Sequence, residues 1–160
     1  MTTYIFGPHR IRSTEVFFKS ALSLGIVNLK PIAPGHSLIL PRRLALRFAD
    51  LTPEEVSDLF LSAQRVGSVL ERVYQGEALT MVVQDGAAAG QTVPHVHVHL
   101  IPRRPEDWAN NDDIYEALND KVQKAGVDAE ERVARPLDVM AKEARELRVH
   151  FPECTFDDEE

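Results

Sequence analysis

Cysteine and long apolar runs are the two features that this sequence most lacks. Its 160 residues contain one cysteine, Cys154, which excludes a disulfide framework and a cysteine-rich zinc site. No stretch approaches the roughly eighteen apolar residues of a membrane-spanning helix. Residues 1–12 also lack the apolar segment of a secretory signal peptide. We therefore expect no membrane association and a cytoplasmic location, with the nucleus as a further compartment.

Positive charge is also in short supply. The chain has 18 lysines and arginines against 25 acidic residues, which gives a formal net charge of −7. Such a chain is poorly suited to hold long DNA or RNA, because that binding depends on cations that displace the counterions of phosphate. A small anionic substrate stays compatible where cationic and amide donors gather locally. With 44% apolar residues, the chain suffices for one packed core and is too short for two ordinary domains.

Short strands joined by turns are predicted before residue 50 and again near residue 80. β-Branched and aromatic clusters are interrupted there by Gly25, Pro31 and Pro34-Gly35. A later apolar run ends at the turn dipeptide Asp85-Gly86. The predicted strands are residues 15–19, 22–29, 36–40 and 79–84.

The strongest helical pattern begins after Thr52. This threonine is a predicted N-cap, Pro53 occupies the first helical position, and Glu55 completes a capping box. Apolar residues then recur at helical spacing for about six turns, as far as Gly76. We expect one long amphipathic helix whose apolar side covers a sheet.

The chain after Pro105 is more polar and charged. Helices are predicted at residues 112–123 and 137–148, with a mobile linker over residues 126–135. We therefore expect a single domain over residues 1–150, whose part from residue 106 is more mobile. Residues 151–160 are predicted to form an acidic tail.

Residues 94–102 alternate histidine with apolar residues between two prolines. In a strand, this alternation puts His95, His97 and His99 on one face and the apolar side chains on the other. Three imidazoles buried for packing alone would leave several donors and acceptors to satisfy in a small area. The segment therefore predicts a face that does chemistry, whereas the isolated His150 is assigned no function.

Two functions fit this histidine face. Alternating histidines on a strand can supply nitrogen ligands to zinc, and their spacing alone does not exclude that site. The preceding loop at residues 90–93 favours phosphate instead, because it offers backbone amides, a hydroxyl and a side-chain amide. A neutral imidazole near pH 7 can attack phosphorus, and the middle histidine, His97, is the predicted nucleophile.

A resemblance to a known family rests on this segment. In residues 95–101, histidine alternates with apolar residues and two apolar residues follow, which resembles the signature of the histidine triad superfamily. Over residues 6–148 the chain resembles the fragile histidine triad branch, the dinucleoside polyphosphate hydrolases. Further motifs that carry the resemblance are Asn28-Leu29-Lys30-Pro31, Pro34-Gly35-His36, Gln84-Asp85-Gly86 and Gly90-Gln91-Thr92-Val93. The phosphoramidase branch usually has asparagine in place of Gln84 and two glycines in place of Ile101-Pro102.

The resemblance implies the architecture and the assembly. The expected fold is α+β, with an antiparallel sheet of about five strands, a long covering helix and a C-terminal helix. The expected assembly is a homodimer in which two subunits join their sheets. No nucleic-acid or membrane partner is expected.

The resemblance also implies a role for each site residue. His97 would become nucleotidylated on the α-phosphate before water releases the mononucleotide, His99 would contact phosphate, and His95 and His36 would orient the site. The residues expected to bind ribose and phosphates are Asn28, Gln84, Gly90, Gln91, Thr92 and Val93, with His9 as a weaker assignment. The residues expected to line the base pocket are Phe6, Ile11 and Ile26.

The expected function is hydrolysis of bis(5′-adenosyl) triphosphate to AMP and ADP. We expect no tightly bound cofactor and no protein-bound metal, with Mg²⁺ or Mn²⁺ accompanying the substrate phosphates. Two alternatives stay open at this point. One is a nucleotide-binding signalling module with incidental turnover, and the other is a nucleoside phosphoramidase of the same superfamily.

Overall fold

The computed structural model describes residues 2–118 and 134–157, and its first element is a two-stranded hairpin. Strand β1 (Thr3–Phe6) pairs antiparallel with β2 (His9–Arg12), and Gly7 turns the chain between them with φ of +57°. This hairpin was not predicted from the sequence. Strands this short carry a weak periodic signal, and the Gly7-Pro8 dipeptide was its only turn signal.

A five-stranded antiparallel sheet forms the centre of the fold. Its strands along the chain are β3 (Val16–Lys19), β4 (Ser23–Val27), β5 (Ser37–Pro41), β6 (Ala78–Val82) and β7 (Val98–Arg103). Their spatial order is β3-β4-β5-β7-β6, and every neighbouring pair is antiparallel. The predicted α+β fold is confirmed, and all four strands predicted before the histidine segment are present with small differences at their ends.

One face of this sheet is covered by helix α1 (Pro53–Val73). The predicted capping box is present: Thr52 Oγ1 accepts from the Glu55 backbone N–H at 3.1 Å, and the Glu55 carboxylate accepts from the Thr52 N–H at 2.8 Å. The fully buried stripe of α1 consists of Leu59, Ala63, Val66 and Leu70. This stripe packs in the same core cluster as Val98 and Leu100 of β7, so the helix fixes the strand that carries His99.

The histidine segment is less regular than predicted. Residues 94–102 were expected to form one strand, but β7 begins only at Val98. The backbone N–H of His95 bonds to the Val93 carbonyl at 2.8 Å, and that of Val96 bonds to the Ala45 carbonyl at 2.8 Å, so neither joins the sheet ladder. His95 and His97 therefore lie before the strand and only His99 lies in it.

The C-terminal part of the chain packs back on the sheet. It contains α2 (Asp113–Leu118) and α3 (Leu137–Arg148), and the second prediction, residues 137–148, is confirmed. The rest of the first predicted helix and most of the linker at residues 126–135 lie outside the described residues. Phe151 is fully buried against the rings of Phe17 and Phe18, so the domain extends beyond residue 150 and the predicted tail begins inside the core. No described helix is long and apolar enough to cross a membrane.

Candidate active site

A cavity of about 710 Å³ opens on the face of the sheet opposite α1. Ile26, Leu38 and His99 share this face, because Ile26 pairs with Leu38 across β4 and β5, and Leu38 pairs with His99 across β5 and β7. The hairpin and helices α2 and α3 supply further walls. The predicted site residues that line the cavity are Phe6, His9, Ile11, Ile26, Asn28, His36, Gln84, Thr92, Val93, His97 and His99. The cavity lining does not include His95, Gly90 or Gln91.

His97 lines this cavity and has one ring nitrogen without a proton. Its Nδ1 lies 2.7 Å from the backbone carbonyl oxygen of His95, and a carbonyl can only accept, so Nδ1 carries the proton. Burial is the main cause that lowers the pKa of His97, so the ring is neutral near pH 7. In a neutral ring with its proton on Nδ1, Nε2 keeps a free electron pair. The Phe6 ring stands edge-on at 5.0 Å between centroids.

His36 is held in the opposite tautomer. The backbone N–H of Ile32 donates to Nδ1 of His36 at 3.2 Å, so this nitrogen carries no proton. The proton of the ring therefore lies on Nε2, which is 2.9 Å from Nδ1 of His99. Because His36 donates in this pair, His99 accepts on Nδ1.

His99 consequently carries its proton on Nε2. This atom is buried and has no hydrogen-bond partner among the described residues. Burial, with smaller effects of His97 and His36, lowers the pKa of His99 to about 2, so the ring is neutral. The ring centroids of His97 and His99 are 4.9 Å apart. An electron-pair donor and an N–H donor therefore lie side by side at the cavity wall.

Asn28 lies beside this histidine pair. Its side-chain Nδ2 is 3.3 Å from Nδ1 and 3.1 Å from Nε2 of His36. The orientation of the amide is set by the other end, where Oδ1 accepts from the backbone N–H of Lys30 at 3.1 Å. Asn28 is thus a neighbour of both the cavity and the relay from His36 to His99.

The ring of His95 faces away from the cavity. Its Nδ1 accepts from the backbone N–H of Gly7 at 3.1 Å, and its Nε2 donates to the backbone carbonyl of Pro41 at 2.8 Å. The ring therefore ties the hairpin turn to the end of β5. Its backbone carbonyl, rather than its ring, orients His97, which the sequence pattern could not distinguish.

The loop before the histidines is closed by its own side chains. Gln91 Oε1 accepts from the backbone N–H of Gly86 at 2.7 Å, and its Nε2 donates to the Leu46 carbonyl at 3.2 Å. Gly90 has φ of +91°, and a Cβ there would lie 2.7 Å from Nε2 of Gln84. Gly90 and Gln91 thus shape the loop, while Gln84 and Thr92 reach the cavity. Their assignment to phosphate and ribose stays a prediction.

Sequence reasoning missed several residues of the cavity wall and two that support it. The two supporting residues, Gly7 and Pro41, hold the ring of His95 through backbone groups, which no side-chain pattern reveals. The additional side chains in the lining include Arg10, Arg12, Glu15, Lys30, Leu137 and Met140. The two from α3 are distant in sequence from the histidines, so only the folded chain identifies them. The cations on the hairpin and after β4 thus add positive charge to the cavity lining, which also contains the carboxylate of Glu15.

The zinc interpretation gains no support from the side-chain placement. The ring nitrogens of His95 and His36 are engaged with backbone groups or with another imidazole. Within residues 2–118 and 134–157, no group of three histidine, cysteine or acidic residues is arranged to hold a metal ion.

A sequence profile of the HIT domain matches residues 10–106. The chain belongs to the HIT domain family. Within this family, it is 49% identical over 154 residues to the Arabidopsis thaliana bifunctional bis(5′-adenosyl)-triphosphatase/adenylylsulfatase FHIT, covering 94% of this chain and 85% of the relative. It is 48% identical over 153 residues to the bis(5′-adenosyl)-triphosphatase of Dictyostelium discoideum, covering 96% of both chains.

A solved structure agrees with this family assignment. The crystal structure of Plasmodium falciparum diadenosine triphosphate hydrolase in complex with cyclomarin A superposes with a TM-score of 0.76 and 29% sequence identity. The match covers 96% of this chain and 86% of that one. The HIT fold of this chain is thus supported by both sequence and structure.

Proposed function

We propose that this HIT protein hydrolyses dinucleoside polyphosphates, with bis(5′-adenosyl) triphosphate as substrate and AMP and ADP as products. The observation that carries the proposal is the pairing of opposite tautomers at one cavity wall. His97 offers an electron pair on Nε2, and His99 offers a buried N–H with no described partner. Relatives with bis(5′-adenosyl)-triphosphatase in their names support the choice of substrate.

In the first step, the electron pair on Nε2 of His97 attacks the α-phosphorus. A phosphorus–nitrogen bond forms, the bond from that phosphorus to the bridging oxygen breaks, and ADP leaves with the bonding electrons. The nucleotidylated ring is positively charged, so the carbonyl of His95 accepts a stronger hydrogen bond from Nδ1 than before. This stabilisation grows as the reaction proceeds, which is what acceleration requires.

His99 acts on the charge that develops on oxygen. Its Nε2–H donates to a phosphate oxygen near the attacked phosphorus, at a buried position where water does not compete. His36 keeps the proton on that nitrogen by donating to the other side of the ring.

In the second step, water attacks the same phosphorus. The phosphorus–nitrogen bond breaks, its electrons return to Nε2 of His97, AMP forms, and the water proton passes to solvent. Both steps use the same nitrogen, so the leaving group of the first step does not change the second. Adenylyl sulfate is therefore a second candidate substrate. The name of the Arabidopsis relative also includes adenylylsulfatase.

The cavity divides in a way that suits one nucleotide. Phe6, Ile11 and Ile26 form its apolar part and suit a base, whereas Asn28 and Gln84 offer amides to ribose and phosphate. The loop ending in Thr92 and Val93 adds backbone donors for phosphate oxygens. Mg²⁺ or Mn²⁺ would accompany the remaining phosphates and is not assigned to a protein site.

A homodimer formed through the sheet edge belongs to the same proposal. Strand β6 pairs with β7 on one side, and its other edge has no partner among the described residues. Met81 on this strand is 44% exposed, and an unpaired edge strand with an exposed apolar side chain can pair with the same strand of a second copy. Light scattering coupled to gel filtration is expected to give twice the chain mass, and a monomer at micromolar concentration would contradict the assembly.

A substrate panel tests the function. Purified protein is offered dinucleoside tri- and tetraphosphates, adenylyl sulfate and a nucleoside phosphoramidate, and kcat/KM is compared. The highest value is expected for a dinucleoside polyphosphate, while a clear preference for the phosphoramidate would overturn the proposal. Comparing kcat with the dissociation rate of the bound dinucleotide separates an enzyme from a signalling module, since a module with incidental turnover releases most of its ligand uncleaved.

A further inference from the structure

Arg135 connects the C-terminal part of the chain to the strand end that carries Asn28. Its guanidinium donates to the backbone carbonyl of Asn28 from Nε at 3.0 Å and also from Nη2, and its own backbone N–H donates to the Leu29 carbonyl at 3.0 Å. β4 ends at Val27, so the carbonyl of Asn28 lies just beyond the sheet ladder. Among the described residues, the fork of Arg135 is what holds it.

The other side of Arg135 is anchored as well. Its Nη1 forms an ion pair with the carboxylate of Glu143 on α3, and both side chains are mostly buried. The same carboxylate accepts from the Tyr74 hydroxyl at 2.7 Å, and burial, followed by this bond, raises the pKa of Tyr74. A Cβ on Gly35 would lie 2.5 Å from the ring of Tyr74, so the ring rests on the turn just before His36. Both ends of the loop between β4 and β5 are thus in contact with a cluster formed by Tyr74, Glu143 and Arg135.

We propose that Arg135 is a positioning residue for the hydrolytic site and acts through Asn28. Holding the backbone of Asn28 keeps its amide against His36, and His36 fixes the proton of His99 on Nε2. Arg135 does not line the cavity, so its effect reaches the substrate through the segment that it holds, and Asn28 is the residue of that segment that contacts His36. The inference rests on the proposed function, in which His99 donates a hydrogen bond to the substrate phosphate.

Two substitutions of Arg135 distinguish the role of its charge from that of its planar guanidinium. A lysine in place of Arg135 can keep the ion pair with Glu143, but its single ammonium lacks the planar fork that holds the Asn28 carbonyl. Arg135→Lys therefore separates the charge from the fork, and Arg135→Gln removes both. Thermal melting of both variants identifies any loss that comes from unfolding.

A double-mutant cycle between Arg135→Gln and Asn28→Ala tests the inference. Arg135→Gln is expected to lower kcat/KM by about 10- to 100-fold in the wild-type background, because small misplacements of positioning groups cost this much. In the Asn28→Ala background, the same change is expected to have little further effect, because the proposed route through the Asn28 side chain is already lost. If the double variant is folded and its loss of kcat/KM equals the product of the two single losses, the two substitutions act independently and the proposal is overturned.

Arg148 provides a matched control. It lies at the other end of α3, and its guanidinium likewise donates to backbone carbonyls, those of Ser13 at 2.7 Å and Val16 at 2.9 Å. Arg148→Gln is expected to lower the melting temperature, and any effect on kcat/KM is expected to multiply with that of Asn28→Ala. If Arg148→Gln were coupled to Asn28→Ala as strongly as Arg135→Gln is, the cycle would detect general destabilisation of the protein. That result would contradict a specific positioning role for Arg135.

A readout without turnover separates failure of this inference from failure of the proposed function. In proton NMR of the wild type and Arg148→Gln, the Nε2 proton of His36 is expected as a slowly exchanging, hydrogen-bonded resonance. In Arg135→Gln it is expected to broaden or exchange faster, and an unchanged resonance would overturn the role of Arg135 even in a protein that hydrolyses none of the substrates. If the resonance changes but no dinucleotide is cleaved by the wild type, the proposed function alone fails.

Discussion

The segment before β7 and the strand itself use the same residue type in opposite ways. In the preceding segment, His95 and His97 have their rings tied to backbone groups, whose donor and acceptor roles do not change with pH. In the strand, His99 is tied to another imidazole, His36, whose own state depends on the Ile32 N–H. The backbone carbonyl that bonds to His97 fixes which of its nitrogens is free to attack. The side chain that bonds to His99 makes the position of its proton depend on the state of His36.

The largest expected effect comes from removing the nucleophile. His97→Ala is expected to lower kcat on the order of 10⁴-fold or more in steady-state assays with a dinucleoside triphosphate, because both steps use its Nε2. His150→Ala, a histidine outside the cavity lining, serves as the control and is expected to leave kcat unchanged. Near-normal turnover of folded His97→Ala protein would remove the covalent proposal.

Loss of the donor in the strand is expected to have a smaller effect. His99→Ala removes one donor to developing charge and is expected to cost about 10²- to 10³-fold in kcat. His99→Gln restores an N–H at a similar distance and is expected to recover part of this loss. If His99→Ala were as inactive as His97→Ala, the division between nucleophile and donor would be wrong.

The pH profile follows from the neutral state of His97. Protonation of Nε2 would block attack, and burial lowers the pKa of His97 below its ordinary value. Activity is therefore expected to stay level as the pH falls through about 6.5, the ordinary histidine value, and to decline only at lower pH. A midpoint of kcat/KM at or above the ordinary value would contradict a buried neutral nucleophile.

Stability must be followed in the same experiment. The pKa values of His95, His97 and His99 are lowered in the folded state, so unfolding takes up protons once the pH falls below about 6.5. The folded state therefore loses stability in that range, and circular dichroism at each pH separates titration of the site from unfolding.

The smallest expected effect on chemistry comes from His95. His95→Ala removes the ring but keeps the backbone carbonyl that orients His97. The part-buried N–H of Gly7 and the buried carbonyl of Pro41 would lose their partner, at a cost of about 1–3 kcal/mol in the free energy of unfolding. Urea denaturation measures this loss, while kcat of the folded protein is expected to change less than in His99→Ala. A larger drop in kcat than in His99→Ala would mean that the ring of His95 takes part in the chemistry.

Sequence periodicity predicted part of this site for a clear physical reason. Alternation put Val96, Val98 and Leu100 in the core, and all three are buried there. The strand starts late because the N–H groups of His95 and Val96 bond to the carbonyls of Val93 and Ala45 instead of joining the sheet. Such bonds leave no periodic signal in the sequence. The strand was therefore predicted too long at its beginning.

The same limit explains what was missed around the cavity. The hairpin depends on the long-range bond from Gly7 to His95, and the far wall comes from Leu137 and Met140 on α3. The family resemblance gave His36 an orienting role and His99 a phosphate contact without pairing the two, and the direction of proton donation required the Ile32 contact. Side-chain patterns identify candidate residues, and backbone partners decide what each of them does.

The stereochemistry at phosphorus tests the covalent claim most directly. Replacing one non-bridging oxygen by sulfur makes the attacked α-phosphorus of a dinucleoside triphosphate a stereocentre. One stereoisomer is hydrolysed in isotopically labelled water, and the configuration at phosphorus in the released nucleoside phosphorothioate is determined. Each in-line displacement inverts phosphorus, so attack by His97 followed by attack by water predicts overall retention. Overall inversion would mean a single direct attack by water and would contradict the nucleotidylated histidine.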